Sequence, residues 1–183
     1  LEQLDLQDDA IIYLSGYQLS SGCGEEIVSW LETLPNSIEL FIDFGPRIGD
    51  IPKPLFDRLI KLKPTVSLNR QEAEVLGMQD INTFVEQWHN RYGCPLILRI
   101  DSDGALFANQ DGHGNVAPFK ATVVDTIGAG DTHAGGVLAG LVSGWELPDA
   151  ILLGNAVASY VVSHVGGDCA PSVDEITRYL NQY

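Results

Sequence analysis

Seven residues, Asp125-Thr126-Ile127-Gly128-Ala129-Gly130-Asp131, bring a glycine-rich turn, a helix start and a carboxylate into one short run. Such a run suits phosphoryl transfer. Glycines let the backbone approach a phosphate closely, and the free amides of a helix N-terminus favour negative charge there. On the first turn of that helix the Asp131 carboxylate is placed to accept the proton of an attacking hydroxyl. The amides of Gly128, Ala129 and Gly130 would meanwhile stabilise charge on the transferring group. The same residue types also serve a plain strand-to-helix turn, with Asp131 as a first-turn acid favoured by the helix dipole. The run alone leaves both readings open.

The residues that follow, 132–141, are small and apolar, which suits a helix packed tightly on a sheet. The whole stretch 122–141 resembles the C-terminal signature of the ribokinase-like (PfkB) carbohydrate kinases. The resemblance implies that Asp131 is the general base and that the Gly128-Ala129-Gly130 amides form the anion hole. The implied reaction is ATP-dependent phosphorylation of a hydroxymethyl group on a sugar or nucleoside. It also implies a ribokinase-like three-layer α/β/α fold with a mainly parallel sheet.

Asn69-Arg70-Gln71-Glu72 sets an amide and a carboxylate three residues apart at a strand-to-helix junction. By itself this is a capping box variant, with Asn69 as N-cap and Glu72 at the third helical position. It also resembles the family's Asn-x-x-Glu motif, which implies that Asn69 and Glu72 govern magnesium and phosphate placement through ordered water. Magnesium prefers oxygen ligands and keeps several waters, so capping and indirect metal positioning are compatible.

Arg99-Ile100-Asp101-Ser102-Asp103-Gly104 stands where these kinases carry a Thr- or Lys-x-Gly-x-x-Gly turn beside the nucleotide. Gly104 matches. Asp101 replaces the first glycine, bringing a carboxylate toward the phosphates and restricting the backbone; Arg99 is the residue expected to offset it. Asn155, in a run of small residues, matches the family's late helix alongside the adenine, and is equally ordinary helix packing. Val161, His164, Gly166 and Ser172, with Asp125 and the Ile127 backbone, align with the loop that holds a monovalent cation in several members. The resemblance thus implies a potassium site, although the loop 166–172 is about two residues longer than the ribokinase pattern. Asp43-Phe44-Gly45-Pro46-Arg47 resembles an Asp-x-Asn/Gly-x-Arg stretch of the family; Arg47 stays outside the catalytic set. His133 is expected to pack against the sheet.

The elements that must position these groups alternate. Apolar runs at 10–14, 38–43, 65–68 and 95–100 read as buried strands, and helical spacing appears at 25–34, from Pro52 to Leu62, and over 70–76 and 81–91. Such alternation argues for a mainly parallel sheet with helices on both faces. Residues 105–108 open an antiparallel section running through 116–124, with Gly112, Gly114 and Asn115 supplying its turn. Residues 148–164 and 172–179 read as two further helices. Asp43, Asn69, Asp101 and Asp131 all fall at or just after strand ends, where open α/β sheets bind ligands. The chain reads as a single α/β unit without repeats or linkers.

The composition sets limits. With 183 residues, 45% of them hydrophobic, the chain can bury a real core. A formal charge of −15 and a pI near 4.3 oppose polyanionic partners, so neither nucleic acid nor an acidic membrane surface is expected. No apolar run reaches the length of a membrane span and Leu1 to Asp5 lack a signal peptide's features, which makes the cytoplasm the expected location. Cys23, Cys94 and Cys169 show no metal-ligand spacing.

The resemblance covers the C-terminal part of such a kinase. The family's early Gly-Gly motif, most sugar contacts and the β-sheet lid lie before the point corresponding to Leu1. The chain is therefore expected to be part of something longer, to turn over little sugar on its own, and to form a homodimer only as the complete protein. Two rival readings stand beside this one: a kinase of hydroxymethyl heterocycles such as vitamin precursors, and a degenerate kinase serving as a nucleotide-binding regulatory module.

Overall fold

The computed structural model describes residues 6, 7 and 9–182; the stretch from Leu1 to Asp5, read above for a signal peptide, lies outside the described residues. Cα packing divides the chain into two compact units, one of Leu1–Arg99 with Leu106–Gly114, the other of Ile100–Ala105 with Asn115–Tyr183.

In the first unit the apolar runs become strands β1 (Ile11–Ser15), β2 (Glu39–Asp43), β3 (Thr65–Asn69) and β4 (Leu96–Arg99). They pair in parallel as neighbours, with Asp43 opposite Ser67 and Asn69 opposite Arg99. The sheet continues through β5 (Ala105–Asn109) and β6 (Gly112–Val116) to give the order β1-β2-β3-β4-β5-β6. The two-residue connection makes the last pair antiparallel, so the sheet is mixed but mostly parallel. Phe41, Ile42, Leu96, Ile97 and Leu98 are wholly buried on successive positions, as expected of strands covered on both faces.

Local signals fix the helices. After α1 (Gly16–Leu19) and α2 (Gly24–Leu31), α3 (Lys53–Lys61) follows Pro52, buries Leu55, Phe56, Leu59 and Ile60, and ends on Arg58 and Lys61. That is apolar spacing on one face with basic residues at the negative end of the dipole. Beyond α4 (Arg70–Val75), α5 (Ile81–Tyr92) starts where the Asp80 carboxylate accepts the Thr83 amide at 2.8 Å. It stops at Gly93 in a left-handed conformation. Two short elements escape the sequence periodicity, α1 and a 3-10 turn over Gly45–Asp50. Both are set by side chains bonding to nearby amides, Gln18 to the Ser15 N–H and Asp43 to the Gly45 N–H.

The antiparallel section differs from the expectation. Gly112, Gly114 and Asn115 lie within β6, and the turn is made at Gln110 and Asp111, where the Asn109 side chain accepts the Asp111 amide at 2.9 Å. Residues 117–126 carry no strand. Pro118 has no N–H to give a ladder, and the Val116 and Ala117 carbonyls bond to Asn155 instead.

In the second unit, α6 (Ala129–Val142) packs along α7 (Leu147–Val162), and α8 (Val173–Leu180) follows. Gly136 and Gly140 of α6, in the run expected to press on the sheet, face this helix. A Cβ on Gly136 would stand 2.9 Å from the Gly154 Cα, and one on Gly140 would stand 2.8 Å from the Ala150 Cα. Positions four apart on each helix thus interleave backbone to backbone, a contact that only glycine and alanine permit.

Candidate active site

Gly128 adopts φ 77 as the N-cap of α6, a left-handed turn that swings the chain into the helix and that L side chains rarely adopt. The Thr132 N–H and hydroxyl both donate to the Gly128 carbonyl, at 2.9 and 2.8 Å, locking that turn. The Ala129 N–H donates to the Thr126 carbonyl at 3.3 Å, a long bond. The amides of Gly130 and Asp131 fall at the helix opening, where no intrahelical acceptor exists. Asp131 is exposed on this first turn, so its carboxylate is accessible to a small molecule.

Upstream, the Asp125 carboxylate accepts the Ile127 amide at 3.0 Å and the Gly166 amide at 3.1 Å. Those two bonds, Ile127's the stronger influence, hold its carboxyl below the usual aspartate range. The structure therefore joins Asp125, Ile127 and Gly166 in one loop cluster. Val161 is linked to it through Cys169, whose thiol donates to the Gly166 carbonyl at 3.0 Å and lies 3.8 Å from the Val161 carbonyl. Ser172 is engaged otherwise: its hydroxyl donates to Glu175 at 2.6 Å as the N-cap of α8.

The nucleotide-side candidates of the first unit gather at the carboxyl ends of adjacent strands. The Asn69 side chain accepts the Glu72 amide at 2.9 Å, and the Glu72 carboxylate accepts the Asn69 backbone amide at 2.9 Å and its side-chain amide at 2.7 Å. The capping box is complete. Glu72 is only 4% exposed, and burial raises its pKa, opposed by the Asn69 amide and Arg99 and reinforced by Asp43.

Arg99 does not stand where the sequence reading put it. Its guanidinium meets Asp43 at two points, 3.0 and 3.2 Å, and approaches Glu72 at 3.7 Å. The positive charge set against Asp101 is thus engaged by two buried carboxylates. Asp43 was legible as a strand-end acid but not as the partner of Arg99, because nothing in sequence spacing links positions 56 residues apart; the parallel register across β2, β3 and β4 does.

Asp101 takes φ 56, a left-handed conformation that favours glycine, and it is exposed. It opens a tight 3-10 turn, Asp101–Asp103, closed by the Ile100 amide donating to the Gly104 carbonyl at 2.9 Å. Asn155 is buried and fully employed. Its amide nitrogen donates to the carbonyls of Val116 and Ala117, and its oxygen lies 3.1 Å from His133 Nε2. With both amide hydrogens spent, that oxygen can only accept, so His133 carries its proton on Nε2. His133 was expected against the sheet; the bond to Asn155 ties it to α7, where it also lies close to Gly154.

Among the described residues no group of three or more His, Cys, Asp or Glu side chains is placed to hold a metal ion, and no helix is long and apolar enough to cross a membrane. The pfkB family carbohydrate kinase profile matches residues 1–173. The chain belongs to that family. Among PfkB relatives, the chain is 53% identical over 181 residues to the "uncharacterized sugar kinase YegV" of Escherichia coli (strain K12), covering 96% of this chain and 56% of that protein. It is 33% identical over 111 residues to the 5-dehydro-2-deoxygluconokinase of Geobacillus thermodenitrificans (strain NG80-2), covering 60% and 33%. Similar solved structures include the aminoimidazole riboside kinase of Salmonella enterica complexed with aminoimidazole riboside and an ATP analog, with TM-score 0.80, 23% identity, 93% of this chain and 62% of that one. Another is the fructokinase of Vibrio cholerae O395 in fructose, ADP and calcium ion bound form, with TM-score 0.84, 18% identity, 97% and 62%. This PfkB chain has the ribokinase-like α/β fold, and it spans 56% of the length of its E. coli relative.

Proposed function

We propose that this chain supplies the ATP-binding and general-base portion of a kinase that phosphorylates a hydroxymethyl group on a sugar or nucleoside. The observation that carries the reading is the start of α6, where a left-handed Gly128 precedes open helical amides and an exposed Asp131 shares the same turn. Asp131 would take the proton of the acceptor hydroxyl as it attacks the γ-phosphorus in line, and the Gly128-Ala129-Gly130 backbone would stabilise the equatorial oxygens. The oxygen ligands at Asn69 and Glu72 suit hydrated magnesium, with Glu72 acting through water: the two bonds from Asn69 fix its carboxylate and leave it acceptor sites for the metal's water. Magnesium, when bound, neutralises charge on the nucleotide phosphates. The Asp125–Gly166 cluster is the place for a potassium ion.

Substrate positioning is a large part of the barrier reduction in such a transfer. These 183 residues alone are therefore expected to turn over little sugar, and a homodimer belongs to the full-length natural protein. The Asn69-x-x-Glu72 pair and the form of the Asp131 run favour sugars and nucleosides over flat heterocyclic alcohols. Asp101 motivates a second reading, a nucleotide-binding regulatory module, since it adds an acid to the turn beside the nucleotide.

The test is ADP release by the full-length natural protein with magnesium-ATP, across sugars, nucleosides and hydroxymethyl heterocycles, with Asp131→Asn as control. Release confined to sugars or nucleosides and lost in the variant is expected. Release confined to heterocycles would move the substrate class. ATP binding without any release would favour the regulatory module.

A further inference from the structure

Arg99 and Asp43 are more heavily invested than a structural ion pair requires. Both lie at strand ends on one face of the sheet, because Asp43 is opposite Ser67, Asn69 is opposite Arg99, and Ser67 and Asn69 are two residues apart on β3. Arg99 reaches across that face to meet Asp43 at two points and still presents Nη2 to Glu72 at 3.7 Å. The Asp43, Glu72 and Arg99 side chains are 9%, 4% and 14% exposed. Two buried carboxylates near one another repel, and the guanidinium that contacts both offsets that repulsion while Asn69 orients Glu72.

We propose that Asp43 and Arg99 are positioning residues for Glu72, clamping its carboxylate so that it can order the hydration shell of the magnesium that accompanies the nucleotide. This rests on the kinase reading above. The donor set supports it: the Asp43, Asn69 and Glu72 side chains offer hard oxygens, and the Glu72 carboxylate is already oriented by two bonds from Asn69. A clamp of this kind acts as the outer partners of a metal site do, by fixing a ligand's direction.

The direction of the effect separates the proposal from simple electrostatics. Removing a positive charge by itself strengthens binding of a cation. Removing a clamp weakens it, by about tenfold or more on the scale of outer-shell substitutions. The experiment is calorimetric titration of the full-length natural protein with ADP at a series of magnesium concentrations and without acceptor, reading the magnesium concentration that half-saturates nucleotide binding. Arg99→Met is expected to raise that concentration by about tenfold, Arg99→Lys to recover part of it, and Arg99→Met placed on Glu72→Gln to add nothing further. The pair Asp43→Asn with Arg99→Met, which removes the carboxylate that would otherwise face Glu72 without a counter-charge, serves where Arg99→Met alone fails to fold, and is expected to show the same rise. An unchanged or lowered half-saturation, or an equal shift with and without the Glu72 carboxylate, overturns the clamp. Wild-type nucleotide binding that is indifferent to magnesium overturns both the clamp and the kinase reading beneath it, whereas a normal magnesium dependence with unshifted variants overturns the clamp alone.

Discussion

Gly135 and Gly136 are neighbours in the middle of α6, yet replacing each by alanine should change stability by different amounts. A Cβ at Gly135 meets nothing within 4 Å, whereas a Cβ at Gly136 lies 2.9 Å from the Gly154 Cα, 3.2 Å from its nitrogen and 3.2 Å from the Leu153 carbonyl oxygen. All three obstacles are backbone, so no rotamer change relieves them. The helices must separate until that 2.9 Å approach reaches the 3.4 Å of ordinary contact. Both substitutions gain the same helix propensity, about 0.5–1 kcal/mol, so the difference between the variants isolates the overlap. That difference is expected at about 1–3 kcal/mol, the usual cost of overpacking. Urea unfolding of the full-length natural protein and the two variants measures it, provided the denaturant slopes agree. Gly135→Ala should exceed the parent and Gly136→Ala should fall below Gly135→Ala. Because Asp131 rides on the same helix, Gly136→Ala should also lower turnover, by up to about a hundredfold for a displacement near an ångström. Equal stabilities for the two variants would refute the close-packed contact and the reasoning built on it.

Asp101→Gly should leave stability within about 1 kcal/mol, because relief of the left-handed strain is offset by the freedom glycine loses on folding, and should tighten ATP binding in a direct titration by removing an acid. The Asp125 carboxyl is held below its ordinary value by the Ile127 and Gly166 amides. Its contribution is therefore present above the ordinary aspartate pKa and is lost as pH falls through the lowered folded value. Hydrogen exchange at Gly166, followed as the protein is acidified, should lose protection in that window, and Asp125→Asn should remove the pH dependence. Burial pushes the Cys94 thiol up to about 11, with the Trp88 contact opposing, while Cys23 is exposed. Iodoacetamide at mildly alkaline pH should label Cys23 well before Cys94, as read by mass spectrometry of the peptides.

The parallel strands and most helices were legible because their signals are local: apolar runs for β2 and β4, Pro52 before α3, and the Asn69 cap before α4. The run from Asp125 to Asp131 was legible for the same reason. Part of what escaped depends on partners distant in sequence. The pairing of Arg99 with Asp43 is decided by strand register, and the helix that receives Gly136 and Gly140 is decided by where α7 returns. The hairpin turn was misplaced because glycine and asparagine at 112–115 outweighed the subtler Asx turn at Asn109, and the strand expected beyond Val116 was ended by Pro118 and by a side chain on α7.

That side chain, Asn155, also makes the second unit behave as a linkage with little slack. It grips the exit of β6 at one end and His133 at the other, and His133 sits two residues beyond Asp131 on the same helix. Aspartate there would lack the donors and leucine would lack both ends, so neither could transmit a pull from residues 116–117 to the opening of α6. Asn155 thus couples residues 116–117 to the helix that carries Asp131.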